Sequence, residues 1–212
     1  MGSVITLSGE GQSRIEVKQS VFIGKAVHVA TADEANAVVA AQRAEYPDAR
    51  HTVYAWKISG ETNMQKYSDD GEPAGTAGMP VLSILDHNGI TNTAVTVTRY
   101  FGGILLGKGG LVRAYTECAK LALSDGHPVV LEEGIRLAVT VPYSLSDKVA
   151  FELKSLPAEI TDTVYLQDVR YVIDLGTDKE DEVRRRLTDV TGGAAVYEKM
   201  GEVLIKGDEV LL

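Results

Sequence analysis

Two stretches of this chain gather the residue types that do chemistry. The first is Ser68-Asp69-Asp70-Gly71-Glu72-Pro73-Ala74-Gly75-Thr76-Ala77-Gly78. Its carboxylates Asp69, Asp70 and Glu72 stand close enough to offer oxygen ligands to a divalent cation. Gly71 and Pro73 break the spacing of a calcium loop. A solvated turn whose Asp side chains bond nearby backbone explains the same residues. A third reading pairs Asp69 or Asp70 with Arg99 or Arg113, tying this stretch to the second one.

The second stretch runs Thr98-Arg99-Tyr100-Phe101-Gly102-Gly103-Ile104-Leu105-Leu106-Gly107-Lys108-Gly109-Gly110-Leu111-Val112-Arg113-Ala114-Tyr115. Five of the nine residues from Gly102 to Gly110 are glycine, against 21 in the 212-residue chain. Such density marks positive-φ backbone or close approach of the backbone to a partner. The order is strand, glycine loop, helix. A helix start leaves N–H groups unpaired and carries partial positive charge, which suits a phosphate or carboxylate. The anion-binding candidates are Arg99, Gly102, Gly103, Gly107, Lys108, Gly109, Gly110 and Arg113. The loop is not a Walker A motif, since no Ser or Thr follows Lys108, and Gly107-Lys108-Gly109-Gly110 breaks the dinucleotide fingerprint. Tight packing of helix on strand is the competing explanation.

Other candidates are weaker. His28, His51, His87 and His127 show no ligand spacing, and no metal site or cofactor is expected. Cys118 sits beside Ala114, Leu121 and Ala122 and reads as a core thiol. Tyr54 and Trp56 share a strand face and read as core. Tyr100, Phe101 and Tyr115 flank the glycines and are either core or exposed stacking groups.

The elements that must position these residues follow from pattern. Val21 to Val29 reads as a strand. Thr31-Ala32-Asp33-Glu34 is a capping box opening a helix to about Glu45. Thr52 to Ile58 and Thr93 to Thr98 are strands. Pro80 opens a short helix ending near Gly89. Leu111 to Leu123 is a helix with Arg113, Thr116, Glu117 and Lys120 on its polar face. After residue 133 the pattern becomes β-α-β-β-α-β, the ferredoxin-like order: Ile135 to Val141, a helix capped by Ser146, Ile160 to Leu166, Val169 to Leu175, a helix behind the box Thr177-Asp178-Lys179-Glu180, and Ala195 to Ile205. The expected fold class is α+β, with domains at 1–133 and 134–212.

Composition narrows the field. A net charge of −9, with −4 in residues 1–133 and −5 in the remainder, argues against a basic nucleic-acid module. No apolar run approaches the roughly 18–20 residues that span a bilayer, so no membrane partner is expected. One cysteine gives no internal disulfide, which fits a cytoplasmic location. Gly2 and Thr6 match a myristoylation pattern formally, and a plain start site explains them as well.

Both long motifs, in this order, resemble the signature of the IMPACT/YigZ family. Ser20-Val21-Phe22-Ile23 and His51-Thr52-Val53-Tyr54-Ala55 are similar too. The resemblance covers roughly residues 15 to 125, and the tail resembles the small C-terminal domain of bacterial members. It implies an N-terminal domain like the second domain of ribosomal protein S5 and a ferredoxin-like C-terminal domain similar to one in elongation factor G. It implies a role in regulating translation, through a ribosome or nucleic-acid contact, and carries no catalytic residues. Three hypotheses follow: a binding protein with a ribosome, RNA or protein partner; an enzyme acting on a small phosphorylated or carboxylated ligand, with Asp69, Asp70 or Glu72 as base or metal ligand; and a scaffold whose C-terminal sheet binds a protein.

Overall fold

A computed structural model describes residues 4–59 and 63–211. Gly2 and Ser3, which belong to the myristoylation-like pattern, lie outside the described residues. The chain forms two compact units, Met1–Val130 with Asp208–Leu212, and Leu131–Gly207. The division therefore falls before the expected boundary at 133/134. The last five residues, expected in the second domain, group with the first unit.

The first unit contains β1 (Val4–Leu7), β2 (Gly11–Val17), β3 (Ser20–His28), α1 (Ala32–Glu45), β4 (His51–Ile58), β5 (Met64–Ser68), α2 (Gly78–His87), β6 (Thr93–Tyr100) and α3 (Lys108–Asp125). Five strands form an antiparallel sheet in the order β2-β3-β6-β4-β5. Side chains alternate across a strand, and β4 shows why both faces fill. Val53 and Ala55 join the core that includes Val81 and Leu85 of α2 and Tyr115 and Cys118 of α3. Trp56 and Ile58 join Ala35 of α1 in a smaller core on the opposite face. Strand β6 is buried on both faces, and only its last residue, Tyr100, is partly exposed. Near its end the sheet presents Arg99, which shares Glu72 with Tyr115 of α3.

Helix α1 begins as the capping box requires. Thr31 Oγ1 accepts from Glu34 N at 3.2 Å, while Glu34 reaches one residue further back than the pattern predicts, to Ala30 N at 2.7 Å. Helix α3 starts at Lys108, inside the glycine run, rather than at Leu111. The apolar periodicity that marks a helix in sequence begins only at Leu111, because the first turn needs no buried side chain.

In the second unit β7 (Pro128–Val141) is followed by α4 (Tyr143–Leu153), β8 (Ala158–Tyr165), β9 (Val169–Gly176), α5 (Glu180–Thr191) and β10 (Val196–Glu209). β7 and β10 each run across the boundary with the first unit. The strand order β10-β7-β9-β8 is ferredoxin-like. Ile135, Leu137, Val139 and Val141 meet Val149 and Leu153 of α4 and Val183 and Leu187 of α5. Two predicted caps are corrected. Ser146 lies inside α4, its Oγ 2.6 Å from the Tyr171 hydroxyl, and the helix opens straight after Pro142. Thr177–Lys179 forms a 3-10 turn, and α5 has no side-chain cap. Gly192 closes α5 in the left-handed conformation expected of it.

Candidate functional site

The acidic turn does not assemble its three carboxylates. Asp69 caps α2 from a distance: its two oxygens accept from the backbone N–H groups of Gly75 (2.9 Å), Ala77 (3.0 Å) and Gly78 (2.8 Å). Asp70, at φ +45°, accepts from Arg43 Nη2 at 2.6 Å and Thr52 N at 2.7 Å. It therefore ties the turn to α1 and β4, not to Arg99 or Arg113. Glu72 is the carboxylate that joins the two motifs. Its Oε1 accepts from Arg99 Nη1 at 2.6 Å and from the Tyr115 hydroxyl at 2.7 Å. Among the described residues no group of three or more His, Cys, Asp or Glu is placed to hold a metal ion.

The Glu72–Arg99 pair is buried on both sides. A buried pair persists only when the remaining donors are served. Here Arg99 Nη2 reaches Ser20 Oγ at 3.3 Å, and the guanidinium lies 5.5 Å from the Phe22 ring and 5.4 Å from the Phe101 ring. Arg99 Nε is buried and has no partner. Burial, helped by the hydrogen bond to Glu72, pushes the Tyr115 phenol far above its ordinary pKa, so it remains a neutral donor. Ser20 Oγ also accepts from Gly102 N at 3.1 Å. A Cβ at position 102 would sit 2.0 Å from the Gln19 backbone, so only glycine fits there. Sequence alone gives Ser20 and Arg99 no reason to meet. The register that sets Phe22 opposite Arg99 brings them together.

Gly103 lies in the loop after Gly102, and Gly107, at φ +71°, is the N-cap of α3. The cap offers no side-chain acceptor, and the first intrahelical bond runs from Leu111 N to Gly107 O at 3.0 Å. The amides of Lys108, Gly109 and Gly110 in the first turn therefore have no helical partner. Helix α2, by contrast, has its N-terminus filled by Asp69.

Between the two motifs opens a cavity of about 410 Å³. Its polar lining includes Arg50, His51, Glu72, Arg99 and Lys108, and its apolar lining includes Phe101 and Leu105. Of the predicted anion candidates, Arg99, Gly107 and Lys108 reach this cavity; Arg113 is exposed on α3 and lines neither this cavity nor the other one beside the helix. The sequence motifs single out neither Arg50 nor His51, which shows no ligand spacing. His51 Nδ1 lies 2.7 Å from the Asp70 carbonyl oxygen. A carbonyl only accepts, so Nδ1 carries the proton and Nε2 is left as the acceptor when the ring is neutral. A second cavity, of about 550 Å³, lies between α2 and α3 and is lined by Met79, Ile84 and Val112 with Lys120 and His87 at its polar side. Cys118 is fully buried, and burial raises its thiol to about 11, which makes it inert as a nucleophile near neutral pH.

No helix among the described residues is long and apolar enough to cross a membrane. Residues 18–123 match the model of the Impact N-terminal domain, and residues 139–194 match a domain of unknown function, DUF1949. The chain is 49% identical over 102 residues to the IMPACT family member YigZ of Escherichia coli, a match spanning 47% of this chain and 50% of that protein. It is 31% identical over 193 residues to YvyE of Bacillus subtilis, covering 90% of this chain and 88% of that one. A crystal structure described as that of a hypothetical protein superposes with a TM-score of 0.59 at 32% identity, over 93% of this chain and 97% of the other. Eukaryotic matches, Protein IMPACT of Homo sapiens among them, are shorter. Taken with the two-unit α+β architecture, these matches show that the chain belongs to the IMPACT family.

Proposed function

We propose that this protein is a cytoplasmic, non-enzymatic binding protein that regulates translation by gripping a phosphate of the ribosome or an RNA. The observation that carries the reading is the 410 Å³ cavity between the two motifs. Arg50 and Lys108 stand at it with no ion-pair partner among the described residues. The open first turn of α3 adds N–H donors beside Lys108. Among the described residues Glu72 is the one carboxylate in the lining, and Arg99 and Tyr115 already occupy one of its oxygens. A local anion slot on an acidic molecule suits a specific contact rather than coating of a nucleic acid.

Of the carboxylates on which the enzyme alternative relied, Asp69 and Asp70 bond backbone amides and Arg43, and Glu72 is ion-paired with Arg99 and bonded by Tyr115, which weighs against that reading. The test is cosedimentation with ribosomes at physiological salt. Wild type travels with the ribosomal fraction, and Lys108→Ala, an exposed change, releases most of it. Wild type that remains free, or binding indifferent to Lys108→Ala, overturns the reading.

A further inference from the structure

The cavity is not lined by cations alone. Phe101 is 46% exposed and Leu105 is 81% exposed, and both stand at its lining with Arg99 and Lys108. Large apolar side chains left this open beside charge mark a ligand with a flat or apolar part as well as an anion. The Phe101 ring is held by the Arg99 guanidinium at 5.4 Å, and that guanidinium is fixed in turn by Glu72 and Ser20. The exposed Phe101 ring thus has a paired, buried cation set against it. Arg99 Nε supplies a second sign of a missing partner, because it is a buried donor left unserved in a residue that lines the cavity. A site of about 400 Å³ accommodates a group the size of one nucleotide. It has no room for a duplex, whose bases are already stacked on each other.

Resting on the reading proposed above, we infer that this cavity takes one unpaired nucleotide, its phosphate at the first turn of α3 and Lys108, its base stacked on Phe101. Stacking on an aromatic ring needs a base free of its pair. The site therefore discriminates by strandedness, which a simple phosphate slot does not do.

Fluorescence anisotropy with a labelled hexaribonucleotide tests this, using the full chain. Competitors are the same sequence as a duplex, AMP and inorganic phosphate. The hexamer binds, the duplex competes at least about 10-fold more weakly, and Phe101→Ala weakens the hexamer by about 10-fold while Phe101→Trp restores it. AMP competing as well as unlabelled hexamer assigns the site to a free nucleotide; a hexamer that outcompetes AMP assigns it to a strand. Both support the inference. Thermal melts of the variants that match wild type exclude unfolding as the cause, and the exposure of Phe101 makes that the expected result. Affinity unchanged by Phe101→Ala, or a duplex that competes as well as the single strand, overturns the inference. If ribosome binding depends on Lys108 yet neither hexamer nor AMP binds, the inference falls and the underlying reading stands. If ribosome binding ignores Lys108→Ala, the underlying reading itself falls.

Discussion

Glu72 is the residue on which the two motifs converge. One of its oxygens serves Arg99 and Tyr115 at once, and all three side chains are buried. Removing the charge from one member of a buried pair leaves the other uncompensated, at a cost of about 3–5 kcal/mol. Glu72→Gln should therefore lower the urea midpoint of the first unit sharply, since a whole domain has only about 5–15 kcal/mol to lose. Tyr115→Phe removes one neutral donor while Arg99 keeps its partner, so about 1–2 kcal/mol is expected. Denaturant titrations of the two variants separate these cases, and equal losses would mean that the charge pair adds nothing beyond a hydrogen bond. The sequence pointed to a link between the motifs but named Asp69 or Asp70 as its anion. The reason is physical. All three carboxylates are neighbours along the chain, and only the path of the turn, with Asp70 at positive φ, decides which one faces β6.

At the scale of elements, the contrast between α2 and α3 matters most. Both helices follow glycine-rich turns, yet Asp69 fills the first N-terminus and the second is left open. Asp69 accepts three backbone N–H groups, so Asp69→Ala strands all of them at once. Loss of a cap costs about 1–2 kcal/mol, and Asp69→Asn, which keeps one acceptor oxygen, should lose less. Thermal melts give the totals, and hydrogen exchange places the effect, with faster exchange at the Ala77 and Gly78 amides and none at α3. The long helix α1 was legible because burial on one face writes itself into the sequence, and β4 because it is a run of β-forming residues. The start of α3 and the missing caps of α4 and α5 were not. A helix can open on Gly, Pro or a 3-10 turn when packing elsewhere holds it, and Ser146 was drawn off to a tertiary bond with Tyr171. The cavity was half legible: Lys108 and Arg99 stood out, whereas Arg50 and His51 reach it only through the pairing of β4 with β6.

For the molecule as a whole, charge decides how the site must work. The chain carries −9 and neither sequence half is basic. A protein that binds nucleic acid through general electrostatics neutralises many phosphates and loses affinity steeply with salt. Here the only cations free of ion pairs at the cavity are Lys108 and Arg50 among the described residues. Lys108 on the bound nucleotide's phosphate and Arg50 on a neighbouring phosphate of the strand predict a slope of log affinity against log salt of about −1.4. The −9 background repels the strand at long range, and that repulsion weakens as salt screens it, which flattens the slope further. Anisotropy titrations of the hexaribonucleotide between about 50 and 300 mM salt measure it, because screening changes strongly over that range. Lys108→Ala should reduce the slope by about 0.7, the share of one phosphate. Loss of Arg113, which lines neither cavity, should leave it unchanged. A slope of about −4 or steeper would require six or so phosphates, more than this cavity can meet, and would move the contact to another surface of the protein.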